Sequence, residues 1–549
     1  MRSAFTDFIR SHPLVTLCLV GAFVSFVGIS NELWTPDEPR DAAIGRAMWE
    51  SGDWIIPRLN GAPFLEKPPL YWWVQSSVFA LFGHATPTLA RLPSAMFGFA
   101  SLLLTYALGR RFFSPATSLV ACLILLSTAL FSLTTHWIVV DNALLFAVTG
   151  AWTFFAHAET RAGAARQFML LGMYAFLAIA FLIKGVVGLG IPMLGIGVYL
   201  LWTGRWRRFF GWHVVAGGFL VTGTAALWLW LLWREGGRGS LETFLFYNQL
   251  GRFFPDAETY QGGHVRPIWY YFLNTPADLL PWTPFVLLAA FSAWRNLQRL
   301  PDAHRDGLRL CVSGTLPVFL ALSLAGTKRG MYLLPIFPLI ALFVASCATS
   351  GEPPQGWESK LERGWEIFLI ACTALSPAAI FLAPSSWLFW LASVAVLYLF
   401  LYVLKFPPPA DRESRLLGTA LLVCLSIGVL LITVRPFVDG FKSFVPFVRQ
   451  LEKHVPPQTQ IYGYRPDETT LGVVGFYTGR QVTVVELEEL KSMVRQPATI
   501  WLITRDHKKT GGFYGEIQTA GIPHRVLSVQ VIGDGRTMRI IAVGGNSKS

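Results

Sequence analysis

The sequence has little charge. Of its 549 residues only 14% are Asp, Glu, Lys or Arg, against 53% hydrophobic. A soluble domain carries roughly a quarter charged residues, so lipid is the solvent for most of this chain. Cysteine is also sparse. The six are scattered at 18, 122, 311, 347, 372 and 424, all in apolar stretches. Neither a CxxC pair nor a Cys/His cluster appears, which removes a disulfide framework and a cysteine zinc site. There is no Walker motif and no GxGxxG-to-helix unit, so a soluble nucleotide donor is not indicated. Internal repeats and low-complexity tracts are absent too. The net charge of +12 would suggest nucleic acid in a soluble protein. In a membrane protein it reflects basic loops on the cytoplasmic side, so no nucleic-acid partner is expected.

What is present is a series of apolar runs long enough to span, about 17–25 residues each. They lie near 13–30, 88–109, 115–134, 141–158, 168–184, 186–203, 212–233, 276–294, 309–326, 331–349, 365–383, 386–404 and 415–434, thirteen in all. The first follows a basic N-terminus but ends in "FVGISNELW", a poor cleavage site, so it reads as an uncleaved helix. The run 71–83 is short and reads as interfacial or re-entrant. With the N-terminus inside, every inner segment, such as "RRFF", "RWRRFF" and "SKLERG", carries at least two Lys or Arg. That agrees with the positive-inside rule. Three outer segments are long: 31–87, 234–275 and the tail 435–549. The tail alternates strand-like runs ("QVTVVEL", "TIWLITR", "RVLSVQVIG") with helical patterns ("VPFVRQLEKHV", "ELEELKSMV"). It predicts a small α/β domain outside the membrane, after a membrane domain over 1–434.

Ionisable residues at membrane depth are costly and mark functional sites by default. The topology gathers them on one face: Asp37, Glu38, Arg40, Asp41, Glu66, Lys67, Asp141, Lys184, Arg252, His264, Lys328 and Arg329. Each has a plainer reading. Asp37 could cap the amphipathic "EPRDAAIGRAMWE". Glu66 and Lys67 could be an exposed pair of small worth. Lys184 and Lys328 could snorkel to the interface, and His264 taken alone reads as structural. Together they describe a polar pocket at the outer lipid boundary, suited to an amphiphilic substrate with a phosphate head group. Lys67, Lys184, Arg252 and Lys328 are the candidate phosphate cations. A carboxylate among them could orient or deprotonate an attacking hydroxyl, or offset positive charge at a sugar carbon. A transporter would place such groups near mid-membrane and often show repeated halves, which this sequence does not.

The stretch "WTPDEPRDAAIGRAMWESGDWIIPRLNGAPFLEKPPLYWW" resembles the first extracytoplasmic loop of the bacterial aminoarabinose transferases. These are members of the glycosyltransferase-C superfamily, which includes the protein O-mannosyltransferases. The likeness continues through "RLPSAMFGF", "VVDNALLF", "FLIKGVVGLGIP", "HVRPIWYYF" and "TKRGMYLLPIFPLIAL", over about residues 10–350. It implies a polytopic inner-membrane enzyme of thirteen spans with a periplasmic α/β tail. Such an enzyme takes a sugar from undecaprenyl phosphate and adds it to a periplasmic acceptor, a lipid A phosphate in the aminoarabinose transferases, which protects against polymyxin-type peptides. The same superfamily also uses other sugars and protein or glycan hydroxyls.

Residue by residue, the resemblance makes Asp37 and Asp141 the catalytic acids. Lys67, with Lys184, Arg252 and Arg40, becomes the grip on the donor phosphate. Glu66 and Tyr332 fall to the substrate pocket, and His264 and Lys328 join it from their place on the same outer face. Glu66 matches a carboxylate that can take part in a metal site. The family pattern "EHIQRF" is here "NQLGRF", with Asn248 and Gln249, so no zinc is predicted and a divalent metal is left open at Glu66. Phe64 stands where close relatives often have Tyr. A phosphate acceptor needs little base catalysis, so Asp37 would orient and stabilise; for a hydroxyl acceptor it would be the base. Single displacement with inversion is expected.

Overall fold

Helix starts follow the local chemistry. Ser114 accepts from the Thr117 amide at 3.0 Å ahead of the Pro115–Leu126 helix. Asp467 does the same for Thr470 at 2.9 Å before Glu468–Thr478. Side-chain oxygens there satisfy amides that the first helical turn leaves open. The computed structural model describes residues 9–34, 37–251, 264–296, 300–350, 355–376, 411–494, 499–507, 511–532 and 535–544. The chain folds into two compact units that do not follow chain order. One comprises 1–29, 65–71 and 91–434; the other comprises 30–64, 72–90 and 435–549.

The first unit is helical. Across the described residues six helices are long and apolar enough to cross a membrane: Pro87–Arg110, Gly163–Lys184, Trp212–Leu250, Asp302–Leu324, Gly330–Thr349 and Arg412–His454. Pro115–Leu126 with Ala129–Thr135, bent by 70°, and Tyr270–Asp278 with Thr283–Arg295, bent by 108°, bring the number to eight if each pair is one span. Pro13–Phe26 and Val186–Trp202 are shorter apolar helices. The expected span at 386–404, and the end of that at 365–383, lie outside the described residues.

Two neighbouring helices show how packing sets a register. The Val140–Ala158 and Gly163–Lys184 helices run antiparallel, and each sinks a ring into the other's glycine. A Cβ on Gly150 would lie 2.3 Å from the Phe176 ring, and one on Gly172 would lie 2.3 Å from the Phe154 ring. Small residues let helices approach closely where lipid supplies no hydrophobic drive between them. The register that pairs Phe154 with Gly172 and Gly150 with Phe176 also brings Asp141 to Lys184.

In the second unit the α/β part is a mixed sheet. Arg58–Leu59 (β1) and Ala62–Pro63 (β2) form a separate two-residue hairpin. Then come Ile461–Tyr464 (β3), Val482–Val485 (β4), Ile500–His507 (β5), Gly511–Gly512 (β6), His524–Ile532 (β7) and Arg536–Val543 (β8). The sheet order is β4-β3-β5-β8-β7, with β6 on β5. β3 is parallel to both β4 and β5, and β8 is antiparallel to β5 and β7. Side chains alternate across it with period two. Ile503, Met538 and Ile540 join Val448, Leu451 and Val473 in one core. Leu502, Ile541 and Val543 join Leu490 and Ile517 in the other. The Glu468–Thr478 helix also packs on Asp37–Ser51, where a Cβ on Gly472 would be 2.6 Å from the Arg40 nitrogen. The run read as interfacial is the 13-residue helix Leu70–Phe82, about 20 Å long at the usual rise and too short to span.

Candidate functional site

The first unit holds a small cavity of about 50 Å³. Glu66, Lys67, Lys184, Asn248, Gln249, Thr327 and Tyr332 are among its lining residues. Lys184 ends the Gly163–Lys184 helix, and Gly185 turns the chain with φ 62° into Val186–Trp202. That φ favours glycine, and a Cβ there would also strike the Gln249 amide at 2.2 Å. The Lys184 ammonium is bonded to Asp141, in the first turn of Val140–Ala158. It also sits 4.0 Å from the Tyr332 ring centroid. Both partners are buried. Such a pair persists because losing either partner strands a charge in a low dielectric. Lys67 is half-buried, and no carboxylate of the described residues forms an ion pair with it. A half-buried cation at an apolar wall is a site that an anion completes.

Asn248 and Gln249 reach the cavity from a π-helical turn, Thr243–Leu250, closed by an i→i+5 bond from the Gly251 amide to the Phe246 carbonyl at 2.8 Å. Single π-turns inside helices often mark functional positions. Gln249 Oε1 accepts from the Val186 amide at 3.0 Å, so its oxygen is spent on the bend beside Lys184. Around Glu66 the cavity lining places two ammonium groups and the side-chain amides of Asn248 and Gln249. Among the described residues, no group of three or more His, Cys, Asp or Glu is placed to hold a metal ion.

Lys328 is placed differently. Its ammonium donates to the Arg266 carbonyl at 2.9 Å and to the Ala325 carbonyl, while its amide donates to the His264 carbonyl at 2.9 Å. It ties 264–266 to the 325–328 turn, and burial pulls its pKa below the usual lysine value. His264 is exposed. Arg252 lies outside the described residues.

The second unit has a polar cluster of its own. Asp37 and Glu38 open the Asp37–Ser51 helix, where the helix dipole favours negative charge. The Arg40 guanidinium bonds Asp37 at 3.0 Å, Asp41 at 3.2 Å and Glu468 at 3.0 Å. It also stands 5.2 Å from the Phe64 ring centroid. Glu38 is fully buried and accepts the Trp34 amide at 3.0 Å. One cation is thus shared by three carboxylates. Reading the loop alone missed Glu468, because nothing near it in sequence announces a partner 428 positions away.

Residues 66–233 match the family model described as dolichyl-phosphate-mannose-protein mannosyltransferase. The undecaprenyl phosphate-alpha-4-amino-4-deoxy-L-arabinose arabinosyl transferase of Edwardsiella ictaluri is 29% identical over 318 residues, 57% of this chain and 55% of that protein. One from Pseudomonas aeruginosa is 30% identical over 324 residues, 58% of this chain and 56% of that protein. The matched region thus spans only a little over half the length of these curated relatives. The structure of ArnT from Cupriavidus metallidurans bound to undecaprenyl phosphate superposes with a TM-score of 0.74 at 21% identity, over 96% of this chain and 97% of that one. Its apo form gives 0.73 at 19%, over 98% of both. The resemblance read from the first loop is borne out. The chain is a multi-pass membrane protein with the fold of that ArnT.

Proposed function

We propose that this protein is a membrane glycosyltransferase that moves a sugar from a polyprenyl phosphate to a lipid A phosphate, as in aminoarabinose modification. The observation that carries the reading is half-buried Lys67 at the cavity wall beside the neutralised Lys184–Asp141 pair. Two cations at one cavity, Lys67 from the loop ahead of Leu70–Phe82 and Lys184 at a helix end, suit the phosphate of a lipid-linked donor, and a prenyl chain can lie along the helices. The similarity to arabinosyl transferases supports the same donor class.

In this reading Lys67 takes the donor phosphate, with Lys184 held in place by Asp141 and Tyr332 and with Arg252 in support. Departure of the polyprenyl phosphate leaves positive charge at the anomeric carbon, and the acceptor oxygen attacks from the opposite face with inversion. Asp37, aimed by Arg40, orients the acceptor and stabilises that charge. Glu66 and Tyr332 shape the sugar pocket. Thirteen spans, an N-terminus in the cytoplasm, and a periplasmic α/β domain over 435–549 complete the proposal, in the bacterial inner membrane.

A second reading, transfer to a protein or glycan hydroxyl with Asp37 as general base, is favoured by the mannosyltransferase match over 66–233. Mass spectrometry of lipid A from cells with and without the protein separates the two. A gain of one pentosamine supports lipid A. Unchanged lipid A with an altered glycoprotein or glycan profile contradicts it in favour of the second.

A further inference from the structure

A second cavity, of about 340 Å³, lies in the first unit between the Val140–Ala158, Gly163–Lys184, Val186–Trp202 and Trp212–Glu242 helices. Its size falls within the range of small-molecule sites, about 300–1,000 Å³. Its body is apolar, with Leu170, Met173, Leu177 and Ile196 in the wall. Met193 in its lining is 56% exposed. One end is basic through Arg166 and Arg208, with Glu159 as the single carboxylate of the lining; His213 there is paired with the Tyr174 hydroxyl at 3.3 Å. Glu159 is bonded to Arg208 and, at 3.4 Å, to Arg205. Arg205 in turn holds Asp306 at 2.7 Å. Arg166 is half-buried and forms no ion pair with any described residue.

This site is separate from the one above. Asp141 stands in the first turn of the Val140–Ala158 helix and Glu159 is its C-cap, so helical rise puts the two about 27 Å apart. That is nearly the thickness of a bilayer's hydrocarbon core. The basic end therefore belongs to the membrane face opposite Lys184.

We propose that this cavity binds an acidic diacyl phospholipid of the surrounding membrane. Its phosphate would sit on Arg166, and one acyl chain would occupy the apolar body. The shape asks for a molecule with a long apolar part, and the uncompensated Arg166 asks for an anion at one end only. Basic pockets between transmembrane helices are the usual solution for anionic lipid head groups. A neutral lipid would leave Arg166 without a partner.

The test uses the full chain in detergent and native mass spectrometry, with dioleoylphosphatidylglycerol as probe and dioleoylphosphatidylcholine as the neutral comparison. Arg166→Glu removes the head-group contact. Gly218→Leu fills the cavity, since a Cβ on Gly218 meets no atom within 4 Å and leucine suits a helix better than glycine. Arg161→Glu changes an exposed arginine in the loop just before the Gly163–Lys184 helix and serves as the control of equal charge. Arg166→Glu and Gly218→Leu should each lower retained phosphatidylglycerol at least fivefold. Arg161→Glu should leave it unchanged, and phosphatidylcholine should bind at least fivefold less. Equal retention in Arg166→Glu and Arg161→Glu would overturn the proposal. So would displacement of the phosphatidylglycerol by equimolar undecaprenyl phosphate.

Discussion

The two polar clusters use the same residue types in opposite proportions. In the membrane unit, Lys184 is neutralised by Asp141 and a ring, and Lys67 stands beside it without an ion pair to the described residues. In the other unit, Arg40 is shared by Asp37, Asp41 and Glu468. The first arrangement has room for an added anion. The second already has carboxylates in excess and suits a group that carries or develops positive charge. The division of labour proposed between Lys67 and Asp37 follows from that contrast.

The comparison is broken most severely at its two ends. Asp37→Asn should lower transfer by about 10²–10³-fold, the usual worth of a group placed to stabilise developing charge, with membrane expression unchanged; a vesicle transfer assay with quantitative blotting checks both. In the membrane unit Asp141→Asn should cost about 3–5 kcal/mol by stranding the buried Lys184 ammonium. Thermal melting in detergent reads this, and Asp141→Asn with Lys184→Met should recover most of the loss. Gly150→Leu attacks the same pair through packing. It forces a side chain into the Phe176 ring and should cost about 1–3 kcal/mol, with transfer falling as the Asp141–Lys184 register slips. Gly472→Leu is the matching change in the other unit. It should cost a similar amount by pushing the Glu468–Thr478 helix off Arg40, and it should lower turnover more than donor binding.

The smallest effect is a pH dependence. Burial, then its bond to Glu516, pushes the Tyr464 phenol up to about 12 from 10.0. The neutral phenol's contribution is complete below pH 10 and is lost as pH rises towards 12. Melting of Tyr464→Phe should therefore fall less steeply over that window than melting of the wild type.

Much of this was legible because its signals are local. Apolar runs of spanning length foretold the helices from Pro87–Arg110 to Arg412–His454, and the short run at 71–83 foretold a helix that does not span. The first-loop motif drew attention to Asp37, Arg40, Glu66 and Lys67. What escaped is non-local. Glu468 completes the Arg40 cluster from 428 residues away. Gln249 looked like a missing histidine, yet its oxygen caps the Val186 amide. Lys328 looked like a phosphate cation, yet its ammonium is occupied by backbone carbonyls. Charge and position suggest a role, but only the fold shows which partners have already been taken.

The most direct test of the central claim is the affinity for undecaprenyl phosphate of wild type, Lys67→Ala and Asp37→Asn, each measured on the full chain in detergent. A charge-assisted phosphate contact is worth about 1.5–3 kcal/mol, so Lys67→Ala should bind at least tenfold more weakly while Asp37→Asn binds as wild type does. Equal affinity for wild type and Lys67→Ala would contradict the assignment of the donor phosphate to the membrane unit's cavity.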